Sequence, residues 1–169
     1  VVCGDRWAVA ELLRATVTGD IVKAALLHVV AWMDDVEIIE MLLNCDDMDR
    51  ELMNSEPSIL HDAALHGNLP VVNAIINNDK FTAVGMEILD HQGFSAVNFA
   101  ANGCHARVVE ALVSSHKITE IALSGRPKSG WSVISDPVKF GRLDIVKILV
   151  NHNLMTKQTI NSRCYSETD

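Results

Sequence analysis

Several things are scarce in this chain of 169 residues, and each scarcity excludes something. Aromatic residues make up 5%, with one Tyr and four Phe, while the chain is 49% hydrophobic. That apolar content is mostly Ala, Val, Ile and Leu, which favours close packing of helices over a β-sandwich. Four cysteines (Cys3, Cys45, Cys104 and Cys164) lie 42, 59 and 60 residues apart with no C-x-x-C. A disulfide-stapled scaffold or a zinc ribbon needs denser thiols, so reduced cysteines are expected. Basic residues are outnumbered, 14 Lys and Arg against 22 Asp and Glu, for a net charge of −8 and a pI near 5.3. A net anion gains little from counterion release, which argues against nucleic acid as the partner. The longest nearly apolar run, Ala24 to Met33, is too short to span a bilayer. Val1 to Arg6 has no basic stretch followed by an apolar one, so no targeting signal is read there and an intracellular location, cytoplasmic or nuclear, is expected. A chain opening on Val1 reads as a processed product or a piece of something larger.

The motifs of chemistry are missing too. There is no G-x-x-x-x-G-K-[ST] and no G-x-G-x-x-G to cradle phosphate, and no G-x-S-x-G to present a nucleophile. The paired carboxylates Asp34-Asp35 and Asp46-Asp47 are adjacent on polar segments and read as solvated turns. Cys104 and His105 are neighbours without a second pair of ligands nearby, so neither a metal nor another cofactor is expected. The reading is therefore non-enzymatic.

What is present is a charge asymmetry and a repeat. Residues 34–56 hold nine acids and one base, whereas residues 117–157 hold seven bases and three acids. In an elongated molecule such patches cannot neutralise one another. Four gapless segments align: Ala25 to Leu43, Ser58 to Ile76, Ser95 to Val113 and Ser132 to Val150, their starts 33, 37 and 37 residues apart. Each has a short apolar stretch, a break, and a second segment with apolar residues at i, i+1, i+4 and i+5, which marks one helix face. Ser58, Ser95 and Ser132 suit the N-cap of a short first helix. Gly67 and Gly141 suit the turn between helices, because glycine tolerates positive φ. Asp46, Asp79, His116 and Asn153 follow the second helices and are mostly types that tolerate a left-handed helix end. Pro137 predicts a kinked or shortened fourth first-helix. A single pair cannot bury its apolar face; stacked pairs can.

Ser58-Ile59-Leu60-His61-Asp62-Ala63-Ala64-Leu65-His66-Gly67-Asn68-Leu69-Pro70-Val71-Val72 resembles the signature of the ankyrin repeat, as do Asp90-His91-Gln92-Gly93, Cys104-His105 and Phe140 to Lys147. The resemblance implies an all-α solenoid of stacked helix-turn-helix units with β-hairpin-like loops. The domain spans 1–155: an N-terminal capping half-repeat at 1–19, then repeats at about 20–52, 53–89, 90–126 and 127–155. Residues 156–169 form a C-terminal cap or a flexible tail. Four extra residues in the last two spacings fall near Lys80–Leu89 and Lys117–Arg126, where the family has its hairpins. His28 and His61 occupy a position to which the resemblance assigns structural hydrogen bonding.

The resemblance also implies a function: a protein–protein interaction module whose concave face holds a partner. Carried over slot by slot, that face comprises Trp32, Met33, Leu65, His66, His91, Gln92, Phe94, Asn102, Lys128, Trp131, Lys139 and Phe140, with Asn54, Ser55 and Pro57 on a neighbouring turn. A partner with a basic patch facing residues 34–56 follows from the acidic segment, with no nucleic acid and no membrane insertion. The alternatives are a targeting domain of a larger enzyme, channel or adaptor, or a viral or bacterial protein mimicking a host inhibitor or adaptor. A small metalloprotein or hydrolase is the remote one.

Overall fold

A computed structural model describes residues 36–46, 48–56, 58–125, 128 and 130–157. The half-repeat at 1–19, the first helix of the first repeat, Trp32, Met33, Pro57 and most of the C-terminal tail lie outside the described residues.

Among those residues the chain is helical throughout, with no strand. Three helix pairs repeat: α3 (Ile59–Leu65) with α4 (Leu69–Asn77), α6 (Ala96–Asn102) with α7 (Ala106–Ser114), and α9 (Ser135–Lys139) with α10 (Leu143–Val150). Helix α1 (Val36–Asn44) is the second helix of a preceding unit. First helices stack on first helices, α3 on α6 on α9, and second on second, α1 through α4 and α7 to α10. The apolar spacing explains the stack. Val71, Val72, Ile75 and Ile76 of α4 and Val108, Val109, Leu112 and Val113 of α7 are all buried. Each contributes about 1.5–3 kcal/mol of apolar burial relative to exposure. Ala63, Ala64, Ala100 and Ala101 have no exposed surface, so neighbouring first helices approach closely.

The turns between paired helices need a left-handed residue. Gly67 (φ 69°) and Gly141 (φ 65°) supply it, but the middle unit uses Cys104 at φ 61°. The ring of His105 covers Gly67 of the preceding unit, and its Nε2 lies 3.1 Å from the Leu65 carbonyl oxygen.

The second helices α1, α4 and α7 are each followed by a further short helix: α2 (Arg50–Met53), α5 (Ala83–Met86) and α8 (Glu120–Ser124). Asp49, Thr82 and Thr119 are their N-caps, and Met53, Met86 and Leu123 are buried beneath them. The short helix is thus common to all three units. Ser58 stands five residues after Met53, whereas Ser95 and Ser132 stand nine after Met86 and Leu123. The four extra residues therefore fall after the short helix, later than the sequence spacing suggested. In the 87–94 segment they form a tight turn in which Asp90 N–H donates to Phe94 O at 2.9 Å. Asp90 Oδ1 accepts from Gln92 N and Phe94 N at 2.9 and 2.7 Å.

Three further expectations need correction. The left-handed helix ends assigned to Asp46, Asp79, His116 and Asn153 do not occur; Cys104 is the only non-glycine with positive φ among the described residues. Instead α4 and α7 end by turning extended at Asn78 (ψ 136°) and Ser115 (ψ 136°). At the end of α4 a lysine from the loop one repeat later, Lys117, takes the orphan carbonyls, as described below. Ser95 caps α6 with a full capping box, but Ser58 makes no side-chain cap bond. Ser132 is not a cap at all. Pro137 cannot donate to the Val133 carbonyl, so the first turn is lost and α9 begins at Ser135, with five residues where α3 and α6 have seven.

Candidate functional site

The repeat spacing of 37 residues places chemically different side chains in aligned rows. One row runs Leu65, Asn102, Lys139; a second pairs Phe94 with Trp131; a third pairs His91 with Lys128. Adjacent turns are tied by Lys128 N–H donating to the Gln92 carbonyl at 2.8 Å. His91, Gln92, Asn102, Lys128 and Lys139 are exposed, and so is His66, whose Nδ1 lies 2.8 Å from Asp62 O. Leu65, Trp131 and Phe140 keep 46%, 44% and 59% of their surface in solvent. Phe94 is half-buried.

The structure brings these residues together in two clusters. In one, Lys139 Nζ lies 5.3 Å from the ring centroids of both Trp131 and Phe140, a cation over two aromatic faces. In the other, Phe94, Asn102 and Trp131 line a cleft of about 260 Å³ together with Asn98, Ser132 and Asp136. With its amide turned so that the nitrogen faces the acceptors, Asn102 Nδ2 reaches Asp136 Oδ2 at 3.1 Å and Asn98 O at 3.2 Å. Ser132 Oγ is buried and has no hydrogen-bond partner among the described residues. Leu65 and His66 stand two repeats away from the first cluster and one repeat away from the Phe94 and Asn102 side of the second.

Asn54, assigned to the exposed slots from sequence, is turned inward. Its Oδ1 accepts from Thr82 N, Thr82 Oγ1 and Gly85 N at 2.8, 2.9 and 3.1 Å. Its Nδ2 donates to Arg50 O and Lys80 O at 2.6 and 2.9 Å. The amide is spent on holding α5 and is not offered to a partner.

Sequence reasoning passed over Asn98, Ser132 and Asp136 as parts of a site. The signal for Asp136 was its register, since it occupies the slot of Phe99 one repeat earlier. It also passed over two lysines. Lys80 Nζ donates to Leu43 O and Cys45 O at 3.4 and 2.9 Å, and Lys117 Nζ donates to Ile76 O and Asn78 O at 2.7 and 2.9 Å. Each lysine closes the C-terminal end of the second helix one repeat earlier, Lys80 that of α1 and Lys117 that of α4, where carbonyls lack intrahelical donors and the helix dipole favours a cation. The signal was Asn78-Asp79-Lys80-Phe81-Thr82 repeating as Ser115-His116-Lys117-Ile118-Thr119. Burial lowers the Lys117 pKa, opposed by the Asp79 charge.

His61 is buried, its Nε2 2.9 Å from the Ile88 carbonyl and its ring 5.3 Å from that of Phe99. Desolvation lowers its pKa, against the upward pull of the Ile88 hydrogen bond and of nearby carboxylates. A neutral imidazole bonded to backbone is a knit between repeats, the role implied for it from sequence. Among the described residues no group of three His, Cys, Asp or Glu is placed to hold a metal ion, and no helix is long and apolar enough to cross a membrane.

A larger open groove of about 620 Å³ runs between the second helices α1 and α4, lined by polar residues such as Glu40, Asn73, Asn77 and Asp79. It has no aromatic lining, and anchor side chains of the kind that dominate interfaces are found instead on the first-helix side.

No curated protein matches the chain. A family model of ankyrin repeats matches in three copies over residues 60–162, more than half of its length. That match and the stack of helix pairs agree, and the chain belongs to the ankyrin repeat family.

Proposed function

We propose that this chain is a non-enzymatic module that binds a partner protein on the face built by its first helices and the turns before them. Ankyrin repeats are generally protein–protein interaction modules without catalytic activity of their own. The observation that carries the reading is the gathering of Phe94, Trp131 and Phe140 on one face, with Trp131 and Phe140 44% and 59% exposed. Aromatic side chains left in solvent cost hydration, and at interfaces they become the anchors that dominate affinity. The stack holds them in place, so little ordering entropy is lost on binding. Leu65, His66, His91, Gln92, Asn102, Lys128 and Lys139 form the surrounding contact surface. Trp32 and Met33 extend it by the same sequence register.

The exposed carboxylates Glu40, Asp46, Glu51 and Glu56 support a partner with a basic patch opposite residues 34–56. Such a patch speeds encounter and fixes orientation more than it adds affinity.

Affinity capture from lysate, comparing wild type with a Phe94→Ala, Trp131→Ala, Phe140→Ala variant of unchanged circular dichroism, tests the reading. A protein retained by wild type and lost by the variant supports it. Identical captures would move binding to another face.

A further inference from the structure

We infer that the cleft between the third and fourth repeats is a receptor for one arginine side chain of the bound partner. The inference rests on the reading that this face binds protein, and adds to it the residue that is read.

Two equivalent junctions between repeats are filled differently. Between the second and third repeats, the ring of Phe99 fills the space, 5.3 Å from the His61 ring and 6.1 Å from the Phe94 ring. One repeat later the same slots hold Asp136 in place of Phe99, Asn98 in place of His61, and Trp131 in place of Phe94. A short carboxylate cannot occupy the volume of a phenyl ring, and the cleft of about 260 Å³ is what remains.

Its lining specifies a guest that is planar, donates hydrogen bonds and carries positive charge. Phe94 and Trp131 provide aromatic surfaces for a flat group. Asp136 brings a carboxylate, and no cation among the described residues pairs with it. Ser132 Oγ, buried and without a hydrogen-bond partner among the described residues, offers an acceptor. Asn98 adds no competing donor preference at Oδ1, which already accepts from Ser95 N and Ser95 Oγ at 3.0 and 2.9 Å. A guanidinium is flat, stacks on aromatic faces, has donors only and pairs with carboxylates in a fork. An ammonium has the charge without the plane. Trp131 already attracts one cation, Lys139 Nζ, to its ring.

The test is an NMR titration of the labelled protein with three blocked tripeptides, acetyl-Gly-X-Gly-amide, where X is arginine, lysine or citrulline. Citrulline keeps the shape and most donors but has no charge. The expected result is saturable shifts of the Trp131 indole N–H and of the Ser132 and Asn102 amides with arginine, at least tenfold weaker binding of lysine, and none of citrulline. Asp136→Asn should abolish the arginine response while keeping the thermal midpoint. Asp136→Phe, which restores the Phe99 arrangement, should abolish it with the cleft filled. Absence of saturable shifts with the arginine peptide, equal shifts with citrulline, or unchanged binding in Asp136→Asn would overturn the inference. If the lysate capture is lost in the aromatic variant but intact in Asp136→Asn, the protein-binding reading stands and the arginine inference falls.

Discussion

The Asn54 amide accepts hydrogen bonds from both the backbone N–H and the hydroxyl of Thr82, at 2.8 and 2.9 Å, across 28 residues of chain. One side chain thereby ties the turn after α2 to the first turn of α5, and a third acceptor bond, to Gly85 N–H, completes the clamp. Replacing Asn54 with Ala leaves these donors without their partner, at a cost of about 1–3 kcal/mol for each buried group left unsatisfied. We expect Asn54→Ala to lower stability by about 2–3 kcal/mol in a urea titration, given that the site is only part-buried. Asn54→Asp keeps the acceptor and loses the donor bonds, and should fall between the two.

The glycine slot between paired helices makes opposite predictions in adjacent repeats. Cys104 holds φ 61° where the neighbouring units have glycine. Relief of left-handed strain is worth about 1–2 kcal/mol, offset by about 0.5–1 kcal/mol of added unfolded-chain entropy, so Cys104→Gly should stabilise by up to about 1 kcal/mol. Gly67→Ala combines φ 69° with a Cβ driven into the His105 ring, and should destabilise by more than about 2 kcal/mol. Thermal melts of the two variants check both signs.

Lys117 bonds two carbonyls at the end of α4 and lies 5.6 Å from the Phe81 ring centroid. Lys117→Met keeps the apolar stem and removes the charge. It should cost about 1 kcal/mol, since the head is partly solvated and charge-assisted bonds are worth about 1.5–3 kcal/mol when fully buried. Hydrogen exchange should quicken at the C-terminal turn of α4 before anywhere else.

His61 sets a pH dependence whose sign follows from its lowered pKa. Above its ordinary pKa, about 6.5, the imidazole is neutral in both states and its contribution is fully present. As pH falls through that value the unfolded chain takes up the proton first, and stability is lost until the folded pKa is passed. We expect the urea midpoint to drop as pH falls below about 6.5, and His61→Asn, the residue found at Asn98, to flatten the slope. An unchanged slope in the variant would assign the dependence to other groups.

Much of this molecule was legible in the sequence because stacking imposes a period. The apolar i, i+1, i+4, i+5 pattern located α4, α7 and α10, Gly67 and Gly141 located turns, and Pro137 located a short helix. What was not legible depends on contacts between repeats. The ends of α1 and α4 are closed by lysines 37 or more residues away from the first carbonyls they bind, not by local left-handed residues. Asn54 looked like an exposed turn residue because its partners, Thr82 and Gly85, lie in the next unit. The cleft at Asp136 was visible only as a departure from Phe99, and a departure says that something changed without saying that a hole results.

The most direct test of the account places a photo-crosslinking phenylalanine at position 140, on the aromatic face, and at position 110, where Glu110 is exposed on α7. Irradiation in lysate should yield a discrete covalent adduct from position 140 and none from position 110. Adducts from position 110 alone would place the partner on the second helices and contradict the proposal that the first-helix face binds it.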